Sequence, residues 1–383
     1  MPEKRYLVTP GPTPVPPEVL AATAAPMIHH RAPDFRATLA RVVERLKQVF
    51  RTENEMLTFT SAGTGVMESA MANLCARGDR VLVVSHGYFG ERFAAMAQAY
   101  GCELVHLRYP WGESPSPDEV GDKLDAMGGA KAVFLTHSDT STGVVSDIRS
   151  IGERLNGTDA ILVVDAISSL AAVPLESDAW GFDVVITSSH KALMCPPGLA
   201  FASVSERALE AARGGSPRYY FDWERTRSAQ KRGENPFSPA ISLYRGLDVA
   251  LDMILGEGLE AAYDRHVRLG RACRAGVKAM GLELFSPDED RAAVVTAIRM
   301  PSGVDGQAIV LSMRERSGVT IIGGQGEVRG KIVRIGHIGY VDVFDVTTAL
   351  AALELALADA GADVERAVAV TAALEAYNEP VTV

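Results

Sequence analysis

The chain has 383 residues, enough for two domains or for one large domain with an appendage. Hydrophobic residues make up 47% and charged residues 22%, a balance typical of globular proteins and not of disordered or fibrous ones. The 38 basic and 48 acidic residues give a net charge of −10, which argues against nucleic-acid and membrane-surface binding, because both need a basic footprint. The net charge does not argue against small anionic ligands, because local arginines can bind them.

The cysteines and the apolar runs bear on the cellular compartment of the protein. Four scattered cysteines without a CxxC pair fit neither a disulfide framework nor a zinc site, so no metal is expected. No apolar run approaches 18 residues, and no apolar segment follows the charged first residues, so neither a membrane span nor a secretion signal is predicted. We expect a cytoplasmic protein.

The first predicted element is an extended arm at residues 1–17. Its segment Thr9 to Pro17 reads T-P-G-P-T-P-V-P-P, and five prolines in nine residues favour polyproline II without internal hydrogen bonds. The arm is either a disordered tail or an ordered segment that packs on a neighbouring subunit near a site.

A large α/β domain is predicted at residues 18–258. Apolar positions between residues 35 and 49 step by four and three, which indicates an amphipathic helix. After it, short apolar runs alternate with helix-length segments, which indicates a mainly parallel sheet buried on both faces. The predicted strands are Met56–Thr60, Arg80–Ser85, Glu103–Leu107, Ala132–Thr136, Ala160–Asp165 and Asp183–Thr187.

A small α+β domain is predicted at residues 259–383. Two helices meet at Gly256-Glu257-Gly258, one over Ile241–Leu255 and one over Leu259–Met280. Three strands follow, and a closing helix has apolar positions that step by three and four from residue 343 to residue 357. The strands are Ala293–Met300, Val319–Ile322 and Ile332–Ile335.

Three features follow strands, and ligands of open parallel sheets bind at the carboxyl ends of strands. Ala62-Gly63-Thr64-Gly65 precedes a helix, whose first amides and dipole favour a phosphate, although an ordinary tight turn also fits. Asp165 ends an apolar strand, so it is either a turn or cap residue or the partner of a protonated ligand nitrogen.

The third feature is Lys191, in S-S-H-K-A-L directly after an apolar strand. Most lysines are solvated, but this one precedes the rigid turn Cys195-Pro196-Pro197-Gly198. Desolvation lowers the pKa of a lysine and exposes an amine suited to a Schiff base. A phosphate turn, a carboxylate and such a lysine, in this order, are what pyridoxal 5′-phosphate needs.

At this point the sequence resembles the class V, fold type I aminotransferases, in the alanine–glyoxylate and serine–glyoxylate (serine–pyruvate) branch, over nearly its whole length. Single pieces are unspecific, but their combination in this order is specific. They are the arm, H-H-R-A-P-D-F from His29, S-A-G-T-G-V-M-E from Ser61, G-Y-F-G-E-R from Gly87, T-H-S-D-T-S-T-G-V from Thr136, V-D-A-I-S-S-L from Val164, S-S-H-K-A-L-M-C-P-P-G from Ser188, G-G-Q-G from Gly323 and R-I-G-H-I-G-Y from Arg334.

The resemblance implies a pyridoxal phosphate enzyme and a role for each matching residue. Lys191 is implied as the Schiff-base lysine and proton shuttle, and Asp165 as the partner of the pyridine nitrogen. Arg334 is implied as the bidentate clamp on the substrate carboxylate. The residues implied around the cofactor are Ala62, Gly63 and Thr64 at the phosphate, Phe89 on the ring, Ser141 and Thr142 near ring and substrate, Ile167 behind the ring, His190 at the phosphate, and Ser238, near Asn235, at the partner subunit's phosphate.

Three positions depart from the family pattern. Phe89 stands where the branch has tryptophan, and a core phenylalanine is the other interpretation. Ala62 lacks the side-chain hydroxyl that some relatives have at this position, so backbone amides must supply more of the hydrogen bonds to the phosphate. His190 stands where the branch has glutamine and is similar to the histidine of the cysteine desulfurases. Tyr6–Thr13 and Arg31 are implied to line the side-chain pocket, and a homodimer is the implied unit.

We therefore predict a ping-pong transaminase that moves an amino group from a small amino acid, alanine or serine, to a 2-oxoacid, glyoxylate or pyruvate. Aspartate or another donor is an alternative. A class V lyase or desulfurase is the first rival, but it needs a cysteine on a mobile loop, which neither Cys195 nor Cys273 provides. A non-enzymatic regulator or an NAD-binding module is the second rival. Retention of Lys191, Asp165 and Arg334 argues against the regulator, and the absence of GxGxxG argues against NAD.

Overall fold

A computed structural model describes residues 4–381, and a seven-stranded sheet forms its centre. The strand order is β2-β10-β9-β8-β5-β3-β4, in which β10 alone runs antiparallel to its neighbours. The strands of the chain are β1 (Tyr6–Leu7), β2 (Glu55–Phe59), β3 (Arg80–Ser85), β4 (Glu103–Arg108), β5 (Ala132–Thr136), β6 (Ser138–Asp139), β7 (Val144–Val145), β8 (Ile161–Asp165), β9 (Val184–Ser188), β10 (Ala200–Val204), β11 (Val295–Arg299), β12 (Val319–Thr320), β13 (Ile322–Gly323) and β14 (Ile332–Gly336).

Helices cover the sheet and continue into the C-terminal part. They are α1 (Pro17–Thr23), α2 (Pro33–Phe50), α3 (Gly63–Leu74), α4 (Tyr88–Ala99), α5 (Pro117–Ala126), α6 (Ile148–Leu155), α7 (Glu206–Ala211), α8 (Trp223–Gln230), α9 (Ile241–Glu257), α10 (Leu259–Ala279), α11 (Gly306–Arg316), α12 (Val343–Asp359) and α13 (Ala369–Asn378). Between residues 4 and 381, none of these helices is long and apolar enough to cross a membrane.

Alternation along the central strands divides the core into two faces. In β8, Leu162 and Val164 pack into one apolar cluster, whereas Ile161 and Val163 pack into the other, together with residues of α3 and α4. Every residue of β5, β8 and β9 is buried, as expected for strands that carry helices on both faces. Because side chains alternate, Asp165 emerges on the face of Ile161 and Val163, the face that α3 and α4 cover.

The C-terminal part has its own three-stranded antiparallel sheet, in the order β11-β14-β13. Its apolar cluster includes residues of α10, α11 and α12, and Val8 of the arm packs into it. The strand predicted as Val319–Ile322 is wrong as a single element. β12 ends at Thr320 and pairs with β1, whereas β13 begins at Ile322 and pairs with β14.

The proline-rich arm is ordered from residue 4 onward, so the disordered-tail alternative is wrong there; residues 1–3 of the predicted arm lie outside the described residues. β1 pairs in parallel with β12, and Gly336 N donates to Val8 O (3.0 Å). Residues 6–13 contact their own chain, and the expectation that the arm also packs on a neighbouring subunit stays a prediction. A cis peptide bond joins Gly11 to Pro12.

Most predicted strands agree with the structure to within two residues. The prediction missed β10, whose sequence A-F-A-S-V lies directly after the turn that follows Lys191. The prediction also placed the start of α3 after the turn Ala62-Gly63-Thr64-Gly65, whereas the helix begins at Gly63. Residues 382–383 of the predicted C-terminal domain lie outside the described residues.

Candidate active site

The ends of four parallel strands bring the predicted site residues to one edge of the central sheet. β8 ends at Asp165, and β9 ends three residues before Lys191. β2 leads into the turn that opens α3, and β5 leads into the segment that carries Ser141. Arg334 comes from β14 of the second sheet. This is the carboxyl edge at which open α/β sheets bind ligands.

Lys191 lies buried under the N-terminal arm. Its side chain is 8% exposed, and Nζ donates a hydrogen bond of 2.6 Å to the carbonyl oxygen of Pro10. Gly11 follows this carbonyl, and a Cβ at Gly11 would overlap Nζ. Burial lowers the pKa of Lys191 to about 8, although the nearby carboxylate of Asp165 acts in the opposite direction. The amine is therefore far more nucleophilic near neutral pH than an exposed lysine.

Asp165 is the buried carboxylate beside this lysine. It is 4% exposed, and its Oδ1 accepts a hydrogen bond of 2.9 Å from Ile167 N, which also anchors the start of the following turn. Among the described residues, no donor reaches its other oxygen. Burial, together with the nearby carboxylate of Asp139, raises the pKa of Asp165 to about 7. A protonated ring nitrogen would supply the missing partner for this carboxylate.

The predicted phosphate turn is the first turn of α3. Ala62 has extended backbone angles and is the N-cap, so the amides of Gly63 and Thr64 belong to the first turn, which has no acceptors within the helix. A Cβ at Gly63 would lie 2.9 Å from Cδ1 of Ile167, so only glycine allows this close approach. Ala62 and Thr64 are exposed. These amides and the helix dipole suit an anion.

Phe89, the predicted ring-stacking residue, opens α4 and is half-buried. Its backbone amide donates to Oδ2 of Asp139 (2.9 Å), and its ring lies edge-on to the ring of Tyr88. Ser141 lies in the same network, because its Oγ donates to Oδ1 of Asp139 (2.6 Å) and accepts from Tyr88 N (2.8 Å). Thr142 donates to the carbonyl of Asp139 (3.2 Å), which closes the turn.

Asp139 is the residue that the sequence reasoning missed. It is fully buried, and its carboxylate also accepts from Gly90 N (3.3 Å) and Ser141 N (3.0 Å). One side chain therefore fixes both the backbone of Phe89 and the hydroxyl of Ser141. The signal was present in the sequence, since Asp139 lies inside the quoted motif from Thr136, but nothing in that motif shows that α4 begins against it.

Arg334 is 2% exposed and holds two segments together. Nε and Nη2 donate to the carbonyl oxygen of Gly323 (3.0 and 2.6 Å), and Nη1 donates to that of Thr140 (2.6 Å). A guanidinium has five N–H donors, so two remain, one on each Nη nitrogen. Burial lowers the pKa of Arg334 to about 10, where it is still charged at neutral pH. The remaining pair suits a carboxylate.

His190 lies next to Lys191 and is half-buried. Its Nδ1 lies 3.3 Å from Oγ of Ser188, and its carbonyl oxygen accepts from Thr13 N of the arm (3.3 Å). Burial lowers the pKa of His190 to about 4, so the imidazole is neutral at pH 7. It can donate a hydrogen bond to a phosphate, but it brings no charge.

Two predicted residues lie apart from this cluster. Ser238 is exposed, in a crevice that Thr60 and Tyr220 also line. Arg31 is exposed in the segment between α1 and α2. The cysteines of the rival hypothesis are unsuited to attack, because burial raises the pKa of Cys195 to about 12 and that of Cys273 to about 11.

Comparison with known proteins gives consistent results over nearly the full length. The family described as class-V aminotransferase matches residues 5–338. The small subunit of the soluble hydrogenase of Synechococcus sp. is 40% identical, over 94% of this chain and 95% of that protein. The serine–glyoxylate aminotransferase of Methylorubrum extorquens is 36% identical, over 99% and 97%. The crystal structure of pyridoxamine–pyruvate aminotransferase from Mesorhizobium loti superposes with a TM-score of 0.93 at 33% identity, over 97% and 96% of the two chains.

Proposed function

This chain belongs to the class V aminotransferases, with the fold type I architecture and the pyridoxal 5′-phosphate dependence of that family, and we propose that it moves an amino group from a small amino acid, alanine or serine, to glyoxylate or pyruvate. The observation that carries the proposal is the buried pair of Lys191 and Asp165 at one sheet edge, with Arg334 facing the same site.

The residues fit pyridoxal phosphate at three points. Lys191 supplies a buried amine of lowered pKa for the aldehyde carbon. Asp165 has a carboxylate oxygen without a donor from the described residues, and the first turn of α3 has free amides for the phosphate. Bound to Lys191, the cofactor supplies the carbon that receives the amino group and a ring that withdraws electrons from the substrate α-carbon.

Each residue then has a defined task. With the cofactor bound, the Lys191 amine would move the proton between the substrate α-carbon and C4′ of the cofactor. The Asp165 carboxylate holds a proton on the ring nitrogen. The two remaining N–H groups of Arg334 fix the substrate carboxylate and so orient the α-carbon bond that breaks. Because the two half-reactions use the same groups in opposite directions, a ping-pong order is expected.

The test is replacement of Lys191 by alanine. The purified wild-type protein should be yellow, and Lys191→Ala should lose both the absorbance that borohydride fixes to the protein and the transfer of amino groups. A half-reaction panel should show which of alanine, serine and aspartate bleaches the absorbance, with glyoxylate, pyruvate and 2-oxoglutarate as acceptors. Unchanged turnover by Lys191→Ala would refute the proposal.

We also propose that the protein is a cytoplasmic homodimer, and that residues 1–17, 18–258 and 259–383 are its arm, large domain and small domain. Ser238 supports the dimer, because it is exposed beside Thr60, one residue before the segment that leads into α3, where a second copy could reach it. Sedimentation equilibrium of the holoprotein should give twice the mass of the chain. A monomer with full activity would refute the dimer.

A further inference from the structure

Arg92 lies in the active site, and none of the roles derived above uses it. It is half-buried, one turn after Phe89 on α4. Its Nη1 donates a hydrogen bond of 2.7 Å to Oγ1 of Thr64, in the first turn of α3. Its guanidinium also lies over the ring of Phe89, 4.8 Å from the ring centre. Arg92 therefore connects the phosphate turn to the residue implied to stack on the cofactor ring.

The charge of Arg92 is not balanced by a neighbouring acid. Among the described residues, no carboxylate lies within 4.0 Å of its guanidinium, and Thr64 is the only hydrogen-bond acceptor that it reaches. Other half-buried arginines of the chain, such as Arg45 and Arg227, pair with Asp248 and Glu55. The guanidinium of Arg92 therefore keeps an unpaired positive charge and free N–H groups among the described residues, and both are available to an anionic ligand.

The position of this charge is within reach of the reacting groups. The positive charge of Arg92 lowers the pKa of both Lys191 and Asp165. The same side chain also contacts Thr64 and Phe89, so Arg92 lies beside the predicted phosphate turn as well as near Lys191 and Asp165.

Two anions could pair with Arg92, the phosphate of the cofactor and the carboxylate of the substrate, and their charges favour the phosphate. A phosphate ester carries about −1.5 to −2 charges at pH 7. The first turn of α3 offers a dipole equivalent to roughly +0.5 charge, and His190 is neutral, so the other groups assigned to the phosphate leave most of its charge unmatched. The substrate carboxylate, by contrast, already has the two free donors of Arg334.

We propose that Arg92 binds the phosphate of the cofactor, with Thr64 holding its guanidinium in place. This inference rests on the proposed function, because it needs a phosphate-bearing cofactor at Lys191. Arg92 supplies the full positive charge that the turn lacks.

The test compares two cofactor forms that differ only in the phosphate. Apoprotein is titrated with pyridoxal 5′-phosphate and with pyridoxal, and binding is followed by absorbance. For Arg92→Gln, the Kd of pyridoxal phosphate should rise about 10- to 100-fold, the loss expected for a charge-assisted contact, and that of pyridoxal should change less than about 2-fold. Arg92→Lys keeps the charge and should lose less. Arg149→Gln, on the exposed face of α6, is the matched control and should bind both forms as the wild type does.

Three other results would overturn either the role of Arg92 or the proposed function. An equal loss of affinity for both forms would overturn the inference and make Arg92 a support for Phe89. Unchanged affinity for pyridoxal phosphate, with a higher KM for dicarboxylic substrates, would overturn it in favour of a substrate site. If Arg92→Gln does not fold, Arg92→Met, which also removes the charge, gives the same comparison. A wild-type protein that binds neither form would refute the proposed function itself.

Discussion

Replacement of Asp139 by asparagine tests whether one buried carboxylate organises the active site. Its Oδ1 accepts from the amide and the hydroxyl of Ser141, and its Oδ2 accepts from the amides of Phe89 and Gly90. Asparagine keeps one oxygen and turns an NH₂ group toward backbone N–H donors, so at least one buried amide loses its acceptor. An unsatisfied buried amide costs about 1–3 kcal/mol, and the remaining bonds lose their charge assistance. We expect a loss of about 3 kcal/mol.

The assay has a structural and a functional part. Thermal unfolding of the apoprotein should show a lower Tm, and absorbance titration should show weaker cofactor binding, because Phe89 and Ser141 lose their common anchor. Asp147→Asn is the matched control. Asp147 is the N-cap of α6 and accepts from the amide and hydroxyl of Ser150, and asparagine caps helices about as well as aspartate. Its effect should stay within about 0.5 kcal/mol. Equal effects of the two substitutions would refute the special role of Asp139.

Three further predictions follow from the same geometry. Gly87→Ala should reproduce the effects of Asp139→Asn on Tm and cofactor affinity, because its Cβ would overlap the Asp139 carboxyl group; wild-type behaviour would contradict the geometry. The rate at which apoprotein captures pyridoxal phosphate should rise with pH and level off above about pH 8, since the neutral Lys191 amine reacts and burial lowers its pKa to about 8; a rise continuing to pH 10 would show that the lysine is solvated. Arg334→Lys, and Arg334→Ala more strongly, should lower kcat/KM for carboxylate substrates by about 100-fold with a smaller loss of cofactor affinity, and equal losses would reassign Arg334.

The large sheet could be predicted because its signal is local. Central strands such as Ala132–Thr136 and Ile161–Asp165 are continuous apolar runs, and their burial on both faces requires that composition. Lys191 and Asp165 could be predicted for the same reason, since Asp165 ends such a run and Lys191 lies three residues after one. The short strands gave no such signal. β6 and β7, which were not predicted, have two residues each, too few for a period of two to be visible.

The roles of Arg92 and Asp139 depend on contacts between segments far apart in the sequence, so no local pattern reveals them. Asp139 meets Phe89 across 50 residues, and Arg92 meets Thr64 across 28. The backbone contacts of Arg334 are also invisible in the sequence, although its presence at the site was expected. Family resemblance predicted which residues face the ligand, and only the structure shows which side chains hold those residues in position.

The arm shows how a segment with little secondary structure can form part of a buried site. Each proline removes a backbone N–H but keeps its carbonyl, so a proline-rich segment has more backbone acceptors than donors, and the carbonyl of Pro10 accepts from the Lys191 amine. The pairing of β1 with β12 fixes the arm to the part of the chain that also carries Arg334. Arg334 and the cover over Lys191 are therefore attached to the same C-terminal structure, so a shift of that structure against the central sheet would move both groups together relative to Asp165.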